Sequence, residues 1–271
     1  MKRKTDFDIR RKTMPTVKEL YDHLDERIPR ALSCEWDNDG LMLCPDAFAG
    51  VKKILLALDA TDEVAEYAVA NGFDVIVTHH PMIFSPLRSL SVLEPTARKA
   101  LFLAKNGVSV MSFHTRLDAL RGGVNDVLAE KLGVMNPVPF GPAGEELGRV
   151  GALRSPMNFR ELCAYVGEAL ACPCVSAIGD KKTVSRVALL GGGGKDFVKS
   201  AAAAGADVFV TGEVTYNVML EAKAMGLCLV TAGHYHTERP VLSALNDILR
   251  EKFGETEICE YPFDTEIFYV K

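Results

Sequence analysis

The chain has 271 residues and a formal net charge of −5. This acidic balance argues against a nucleic-acid-binding surface, because such surfaces carry a basic field that neutralises phosphate groups. The composition, 48% hydrophobic and 25% charged, is typical of a soluble globular protein. No apolar run approaches the roughly 20 residues that span a bilayer, so we expect no membrane segment.

The N-terminal residues are charged, and no apolar segment follows them. They lack the apolar region of a secretory signal, so we predict a flexible, solvated tail over residues 1–14 and a cytoplasmic protein. Seven cysteines without a C-x-x-C pair indicate reduced thiols. We interpret Cys172-Pro-Cys174 as a structural pair, so a metal site would have to use histidine and carboxylate ligands.

Beyond the tail, short apolar strands alternate with helices. Apolar spacing predicts a helix that begins at Val17 and ends at Pro29, and a turn from Glu35 leads into a short strand that ends at Leu43. The pattern then predicts, in chain order, a strand at 52–59, a helix at 61–72, a strand at 73–80, a helix at 96–107, a strand at 108–115 and a helix at 122–133. This alternation favours an α/β fold with largely parallel strands.

The second half of the chain repeats the first. Residues 51–80 align without a gap with residues 184–213, at a constant offset of 184 − 51 = 133. The next segment, "KNGVSVMSFHT", recurs as "AMGLCLVTAGH", so that His114 and His234 lie at corresponding strand ends. Such a repeat indicates two copies of one α/β unit. We therefore predict two pseudo-symmetric α/β lobes with mostly parallel sheets and a metal cleft between them.

Glycine and proline residues after Phe140 predict a linker between the two copies. A strand at 147–153 and a helix at 158–171 are predicted to follow it. We assign residues 15–135 plus about 240–271 to the first lobe, and residues 136–239 to the second.

Candidate metal ligands lie at three predicted strand ends, where ligands of open α/β sheets bind. The first end carries His79 and His80 directly before Pro81, which removes a ladder donor and predicts that the strand breaks there. Only such a break lets two adjacent side chains face one target, because neighbours in a regular strand point to opposite faces.

The other two strand ends each pair a histidine with an acid four residues later. His114 precedes Asp118 and His234 precedes Glu238, and this spacing places each pair on one side of a helix. Taken singly, each histidine could instead be a hydrogen-bonded structural residue and each acid a helix cap. Imidazole and carboxylate together suit zinc, iron, manganese or nickel. The set exceeds the needs of one tetrahedral zinc, and two ions fit better.

The remaining two histidines are not assigned to the metal site. His236 lies two residues after His234 and would face away from it on a helix. His23 lies in the first helix, where we expect it to be solvated.

Six segments between Pro15 and Lys271 together carry a family resemblance: EWDNDGL, THHPMIF, HTRLDALRGGVNDVLAEKLG, GADVFVTGE, GHYHTE and YPFDTEIFYV. They resemble the Ngg-interacting-factor-three-like proteins, also called dinuclear metal-centre hexameric proteins. Many bacterial members are labelled GTP cyclohydrolase I type 2 homologues. The resemblance implies a two-lobed α/β fold, a toroidal homohexamer and a pair of divalent cations in the cleft between the lobes.

The resemblance also implies roles for individual residues. The implied metal ligands are His79, His80, Asp118, His234 and Glu238, with Glu238 as the bridge between the ions. His114 matches a family histidine beside the metals, which is either a further ligand or a group that orients Asp118. Two positions depart from the family pattern. Arg116 replaces a small polar residue, which could change charge and access at the cleft, and Asn217 stands where a histidine is common.

The glycine run "LGGGGKDF" is not a phosphate-binding motif. Lys195 is followed by Asp196 where a P-loop has serine or threonine, and the spacing does not fit G-x-G-x-x-G. We interpret the run as a tight turn from strand to helix. Phosphate binding by its amides is the minor alternative.

Two functions from different classes fit these observations. The first is a metal-dependent hydrolase, in which divalent ions activate water and Arg116 or the second ion stabilises an oxyanion. Its substrate would be a nucleotide or another phosphate-bearing small molecule, as the family label implies. The alternative is a non-catalytic, ring-shaped scaffold or metal-handling protein.

Overall fold

The computed structural model describes residues 14–263. Residues 1–13, which make up most of the predicted tail, and residues 264–271 lie outside the described part of the chain. The predictions for the tail and for the last segment of the first lobe are therefore untested there.

Helices and strands alternate along the described residues. The helices are α1 (Val17–Arg27), α2 (Asp62–Ala70), α3 (Pro95–Lys105), α4 (Thr115–Ala119), α5 (Val124–Lys131), α6 (Phe159–Ala169), α7 (Val198–Ala203), α8 (Tyr216–Ala224), α9 (His234–Glu238) and α10 (Val241–Phe253). The strands are β1 (Gly40–Leu43), β2 (Lys53–Ala57), β3 (Val75–Thr78), β4 (Ser109–Ser112), β5 (Val134–Phe140), β6 (Gly148–Met157), β7 (Ser176–Ile178), β8 (Val184–Gly193), β9 (Val208–Glu213), β10 (Cys228–Thr231) and β11 (Glu257–Glu260).

The start and end of α1 follow from local chemistry. Thr16 accepts a hydrogen bond from the amide of Glu19, whose carboxylate accepts from the Thr16 amide in return, which is a capping box. The helix ends at Arg27, earlier than the predicted Pro29. Ile28 has φ −123° and ψ 77°, because a residue before proline is disfavoured in the helical region.

The strands form two sheets. The first has the order β1-β4-β3-β2-β11, and all its neighbours are parallel except β1 and β4. The second has the order β5-β6-β8-β9-β10-β7. Its central strands β8, β9 and β10 are parallel, whereas its three other pairings are antiparallel. The predicted two-sheet α/β fold is confirmed, with a largely parallel first sheet and a mixed second sheet.

Helices cover both faces of each sheet. On the first sheet, α1 and α10 pack against one face and α2 and α3 against the other. On the second sheet, α5 and α6 face α7 and α8 across the strands. Two buried layers per sheet explain why the central strands read as continuous apolar runs and not as alternating ones.

The internal repeat is visible in the register of the strands. Ile54 pairs with Val75 between β2 and β3, and Val187 pairs with Val208 between β8 and β9, which preserves the offset of 133. The aspartate that precedes β3 has the same role as the aspartate that precedes β9. Asp74 accepts hydrogen bonds from the amides of residues 52 and 53, and Asp207 accepts from those of 185 and 186.

The equivalence of His114 and His234 is wrong by one residue. Ser112 and Thr231 occupy equivalent registers against the neighbouring strand, so the counterpart of His114 is Gly233. Gly233 is the N-cap residue of α9 and has φ 78°, a conformation that glycine adopts without steric cost.

The division into lobes stays a prediction. The strands of the first sheet fall within 40–112 and 257–260, and those of the second within 134–231. Among the described residues, none of the helices has the length and apolar character required to cross a bilayer.

Candidate metal centre

The loops that follow β3, β4 and β10 converge at one place between the two sheets. β3 ends at Thr78, directly before His79 and His80 and two residues earlier than the predicted end of the strand. The Thr78 hydroxyl donates to the carbonyl oxygen of His80 at 2.8 Å, which closes a tight turn. In this turn the rings of His79 and His80 lie beside each other, with centroids 4.8 Å apart. The backbone break therefore lets adjacent imidazoles reach one centre.

Glu238 lies at the middle of the cluster. Its Oε2 is 3.0 Å from His80 Nε2 and 3.1 Å from His234 Nε2. Its Oε1 is 3.8 Å from His79 Nε2, which in turn lies 3.7 Å from Asp118 Oδ1. Helix α9 places His234 and Glu238 one turn apart on the same side, as the spacing predicted. The structure thus brings together all five predicted ligands.

The donor atoms fall into overlapping triads whose members lie within 4.8 Å of one another. One triad consists of His79, Asp118 and Glu238, and another of His80, His234 and Glu238. Glu238 belongs to both. A third group joins the two adjacent histidines to His114, whose ring centroid is 5.3 Å from that of His79.

Each of the four clustered histidines is held through Nδ1, which leaves Nε2 directed toward the cluster. The Nδ1 partners are the carbonyl oxygen of Phe113 for His79 at 2.9 Å, Asp59 for His80 at 2.8 Å, Asp37 for His114 at 2.9 Å and Glu213 for His234 at 3.1 Å. Because a carbonyl or carboxylate oxygen can only accept, each Nδ1 carries the proton. Nε2 is therefore the nitrogen of each ring that would bind a metal ion, the usual arrangement around a metal-bound histidine.

Buried polar atoms without partners test whether a metal fits this cluster. His79 Nε2, Asp118 Oδ1 and Glu238 Oε2 are buried and make no hydrogen bond of acceptable geometry among the described residues. The Nε2 atoms of His80 and His234 lie 3.0 and 3.1 Å from the last of these atoms. Leaving the other two atoms unpaired costs about 1–3 kcal/mol each. A bound cation would satisfy all three, so the donor set fits a divalent metal.

The pKa values of the two carboxylates in the cluster are shifted in opposite directions. Burial and the nearby Glu238 carboxylate raise the pKa of Asp118 well above its ordinary value. Burial would also raise the pKa of Glu238, but the imidazoles of His234 and His79 hold it well below its ordinary value. One of the two acids therefore stays ionised while its neighbour resists ionisation, as expected for two close carboxylates.

The histidines also differ from one another. Burial lowers the pKa of His79. Burial also opposes charge on His80, but the carboxylates of Asp59 and Glu238 outweigh it and raise the pKa to about 10. Glu238 raises the pKa of His234 to about 9 against its burial. A metal must displace protons from His80 and His234, so metal affinity should rise with pH toward those values.

The glycine run provides the space that the cluster occupies. Gly192 has φ +67°, and a Cβ there would overlap Glu238 Oε1 and lie 3.0 Å from His234 Nε2. The amides of Gly191, Gly192 and Gly194 are already bonded to Asn125 Oδ1, Thr237 Oγ1 and the carbonyl oxygen of Glu213. The run ends β8 and leads into a short 3₁₀ turn at Lys195–Phe197, as the interpretation of a tight turn predicted. These three amides therefore have no role left in holding phosphate.

The expectation for Arg116 is wrong. Its side chain is fully buried and turns away from the cleft, with Nη1 2.6 Å from Asp25 Oδ1 and Nε 3.1 Å from Asp39 Oδ2. Its guanidinium also lies 4.5 Å from the ring centroid of Phe113. Arg116 thus stabilises the loop beneath His114 and cannot stabilise an oxyanion at the centre.

Three further expectations can be compared with the structure. His23 is buried, and its Nε2 lies 2.9 Å from the carbonyl oxygen of Ile248, so the prediction of a solvated histidine is wrong. His236 lies outside the triads of donor atoms found in residues 14–263. Asn217 is exposed at the start of α8, where its Oδ1 accepts from the Thr215 hydroxyl at 2.7 Å.

Sequence reasoning missed the acids that orient the histidines. Asp59 follows the end of β2, Glu213 ends β9, and Asp37 lies in the turn before β1. Each of the first two lies at the carboxyl end of a strand, as the predicted ligands do, which was the available signal. Asp37 also accepts from the amide and hydroxyl of Thr115. These bonds and the His114 contact overcome the effect of burial and lower the pKa of Asp37 to about 2.

A cavity of about 390 Å³ adjoins the cluster on the Asp59 side of His80. Its lining includes Tyr235 and Arg239 from the α9 region and apolar side chains such as Val64 and Leu242. None of the five candidate ligands is among the residues that line this cavity.

We expect Asp59→Ala to weaken metal binding about 10- to 100-fold, because loss of an outer hydrogen-bond partner releases the orientation of a ligating histidine. Competition with a chromophoric chelator would measure this affinity. Asp62→Ala is the matched control, since Asp62 lies three residues away and pairs with Arg98 on the surface. Equal affinities of Asp59→Ala and the parent protein would contradict the expected role of Asp59.

The fold and the cluster together define an α/β protein of two sheets with histidine and carboxylate groups that could bind a metal. The chain belongs to the Duf34/NIF3 (NGG1p interacting factor 3) family, whose model matches residues 15–266. The resemblance predicted from the sequence is thereby confirmed.

Individual relatives support the same assignment. A "GTP cyclohydrolase 1 type 2 homolog" from Nostoc sp. is 37% identical over 244 residues, which cover 88% of this chain and 91% of the relative. A "Protein NIF3 homolog" from Schizosaccharomyces pombe is 32% identical over 240 residues, which cover 83% and 84%. The solved structure of a Bacillus cereus protein related to NIF3 is similar in fold, with a TM-score of 0.85 at 22% identity over 95% of this chain and 100% of that one.

Proposed function

We propose that the protein binds two divalent metal ions and hydrolyses a nucleotide or another phosphate-bearing small molecule. One ion would be held by His79, Asp118 and Glu238, and the other by His80, His234 and Glu238, so that Glu238 bridges them. The buried, unpartnered donor atoms of the cluster carry this proposal. Two overlapping triads that share one carboxylate support two ions better than one.

Zinc, iron, manganese and nickel all accept this mixture of imidazole and carboxylate ligands. When bound, divalent ions supply Lewis acidity and lower the pKa of water toward neutrality. His79, Asp118 and Glu238 are buried, and their burial strengthens electrostatic interactions on their side of the centre.

The chain's own residues orient the site and handle protons. Asp59, Glu213 and the Phe113 carbonyl oxygen hold protons on Nδ1 of their histidines. His114 faces the ring of His79 and donates a hydrogen bond to Asp37, and its side chain makes no hydrogen bond to Asp118 in the described part of the chain. We therefore assign it the transfer of a proton between the substrate and solvent, with Asp37 as the group that fixes its orientation.

The substrate class is supported by the relatives' names. Several curated relatives are named GTP cyclohydrolase 1 type 2 homolog, which favours a nucleotide. The acidic net charge of the chain does not favour a polymeric nucleic acid.

Metal analysis combined with a substrate screen tests the proposal. The protein as purified would be assayed for metal content and for hydrolysis of phosphomonoesters, phosphodiesters and nucleoside triphosphates, with absorbance used to detect opening of the base. We expect the double variant His79→Ala, Glu238→Ala to lose both metal and activity. Glu66→Ala, a change on the exposed face of α2, is the control that should lose neither.

Two outcomes would overturn the hydrolase proposal. Activity retained by the double variant would place the chemistry elsewhere. Stoichiometric metal without turnover of any substrate class would favour the metal-binding scaffold or metal-handling protein.

We further propose a homohexameric ring in a reducing cytoplasm. Exposed apolar side chains such as Leu90, Val92 and Leu93 offer surface for contacts between subunits. All seven cysteines are free thiols in the structure, which supports a reducing compartment. Light scattering coupled to size exclusion would test the mass of the assembly.

A further inference from the structure

Two large aromatic side chains stand at the mouth of the candidate metal centre. Trp36 and Phe84 are 54% and 50% exposed, although side chains of this size are usually largely buried. Their ring centroids lie 6.3 Å apart, and each ring lies within 6.3 Å of the His114 ring. His114 in turn packs against His79 and His80. The aromatic pair is therefore continuous with the metal-binding cluster.

Two hydrogen bonds restrain the segments that carry the aromatic residues. Trp36 Nε1 donates to Glu145 Oε1 at 3.0 Å, which ties the indole to the connection between β5 and β6 in the second sheet. Asn38 Nδ2 donates to the carbonyl oxygen of Ile83 at 2.5 Å, which joins the turn carrying Trp36 to the loop carrying Phe84. A rigid aromatic surface loses little conformational entropy when a ligand stacks on it.

The combination of an apolar aromatic surface and a polar cluster resembles the lining of small-molecule sites, in which aromatic walls surround a few directed polar groups. Planar heteroaromatic rings are the ligands that such a surface binds best, because they match both its shape and its polarisable face. Charged residues are depleted in the cores of protein–protein interfaces. The neighbouring histidines and carboxylates therefore favour a ligand site over a subunit contact.

We propose that Trp36 and Phe84 form an aromatic platform that stacks against the planar ring of the substrate while its anionic group reaches the metal centre. The proposal rests on the proposed function and specifies its substrate class as a ring-bearing anion, such as a nucleoside monophosphate. Trp36 and Phe84 are positioning residues in this arrangement, and neither takes part in proton transfer.

The single tryptophan of the sequence makes the test direct, since all indole fluorescence reports on Trp36. Metal-loaded protein would be titrated with AMP, UMP and ribose 5-phosphate, with excitation at the red edge of the tryptophan band. We expect AMP to quench the emission most, UMP less and ribose 5-phosphate not at all, because stacking grows with ring area while the phosphate is common to all three.

Variants separate the platform from the metal centre. Calorimetry should give at least about fivefold weaker AMP binding for Trp36→Leu and for Phe84→Leu, with ribose 5-phosphate affinity and metal content unchanged. Phe48→Leu is the matched control, because Phe48 is 76% exposed and makes no ring contact within the described part of the chain. It should bind AMP as the parent protein does.

Several results would overturn the proposal. One is that Trp36→Leu binds AMP as tightly as the parent protein does. Another is that ribose 5-phosphate binds as tightly as AMP. The third is that neither nucleotide quenches the tryptophan fluorescence. A change in assembly mass in place of ligand affinity would identify the platform as a subunit contact. If the parent protein itself bound no metal, the proposed function would be contradicted. If it bound metal normally but showed no preference for ligands with a planar ring, only the platform would be contradicted.

Discussion

Glu238→Gln is expected to remove most of the bound metal while the protein stays folded. Glutamine keeps the shape of the side chain but cannot supply the negative charge that both triads share. The loss of affinity should exceed the roughly 10- to 100-fold penalty for losing an outer partner such as Asp59, because Glu238 would contact both ions. Elemental analysis after dialysis, with circular dichroism to check the fold, would measure the result.

Glu66→Gln makes the same chemical change on the exposed face of α2 and should retain the metal content of the parent. If Glu238→Gln kept the parent's metal content, a shared carboxylate could not be the centre of the site. Loss of only half the metal would restrict Glu238 to one ion and would contradict the bridging role.

Gly192→Ala is expected to disrupt the same centre through its backbone. A Cβ at this position would overlap Glu238 Oε1, and the φ of +67° disfavours any residue with a side chain. Strain in the left-handed region and overpacking should together lower the free energy of unfolding by about 2–4 kcal/mol. Urea denaturation would measure this loss, and metal analysis should detect a displaced Glu238 as lower metal content.

Gly193→Ala provides a closely matched control. A Cβ at Gly193 would meet no atom within 4 Å, and its φ is not in the left-handed region. This variant should unfold and bind metal nearly as the parent does. Similar behaviour of the two alanine variants would show that the glycine run is not needed to make room for the carboxylate.

The internal repeat explains why so much of the fold could be predicted. Strands such as β2, β3, β8 and β9 are buried on both faces and read as continuous apolar runs, and the helices between them end at glycines. Strand β5 was not predicted, since it contains Pro137 and Pro139, and proline is confined to edge strands and bulges.

The candidate ligands could also be placed from the sequence, because each lies at the end of a strand or in the helical turn that follows it. His79 and His80 precede a proline that ends the strand, and Glu238 follows His234 by one helical turn. Arg116 could not be placed. Its position beside the predicted ligands suggested access to the cleft, whereas its length lets it reach Asp25 and Asp39 beneath the loop.

The amino-acid sequence by itself determined most of the buried strands, the helices between them, and the imidazoles and carboxylates at their ends, because periodicity, caps and proline act locally. Only the tertiary structure decided that Asp59, Asp37 and Glu213 fix the histidines, and that Trp36 and Phe84 border them. Those contacts join residues far apart in the chain. Their formation depends on how two packed sheets meet, a relation that no local pattern of residues encodes.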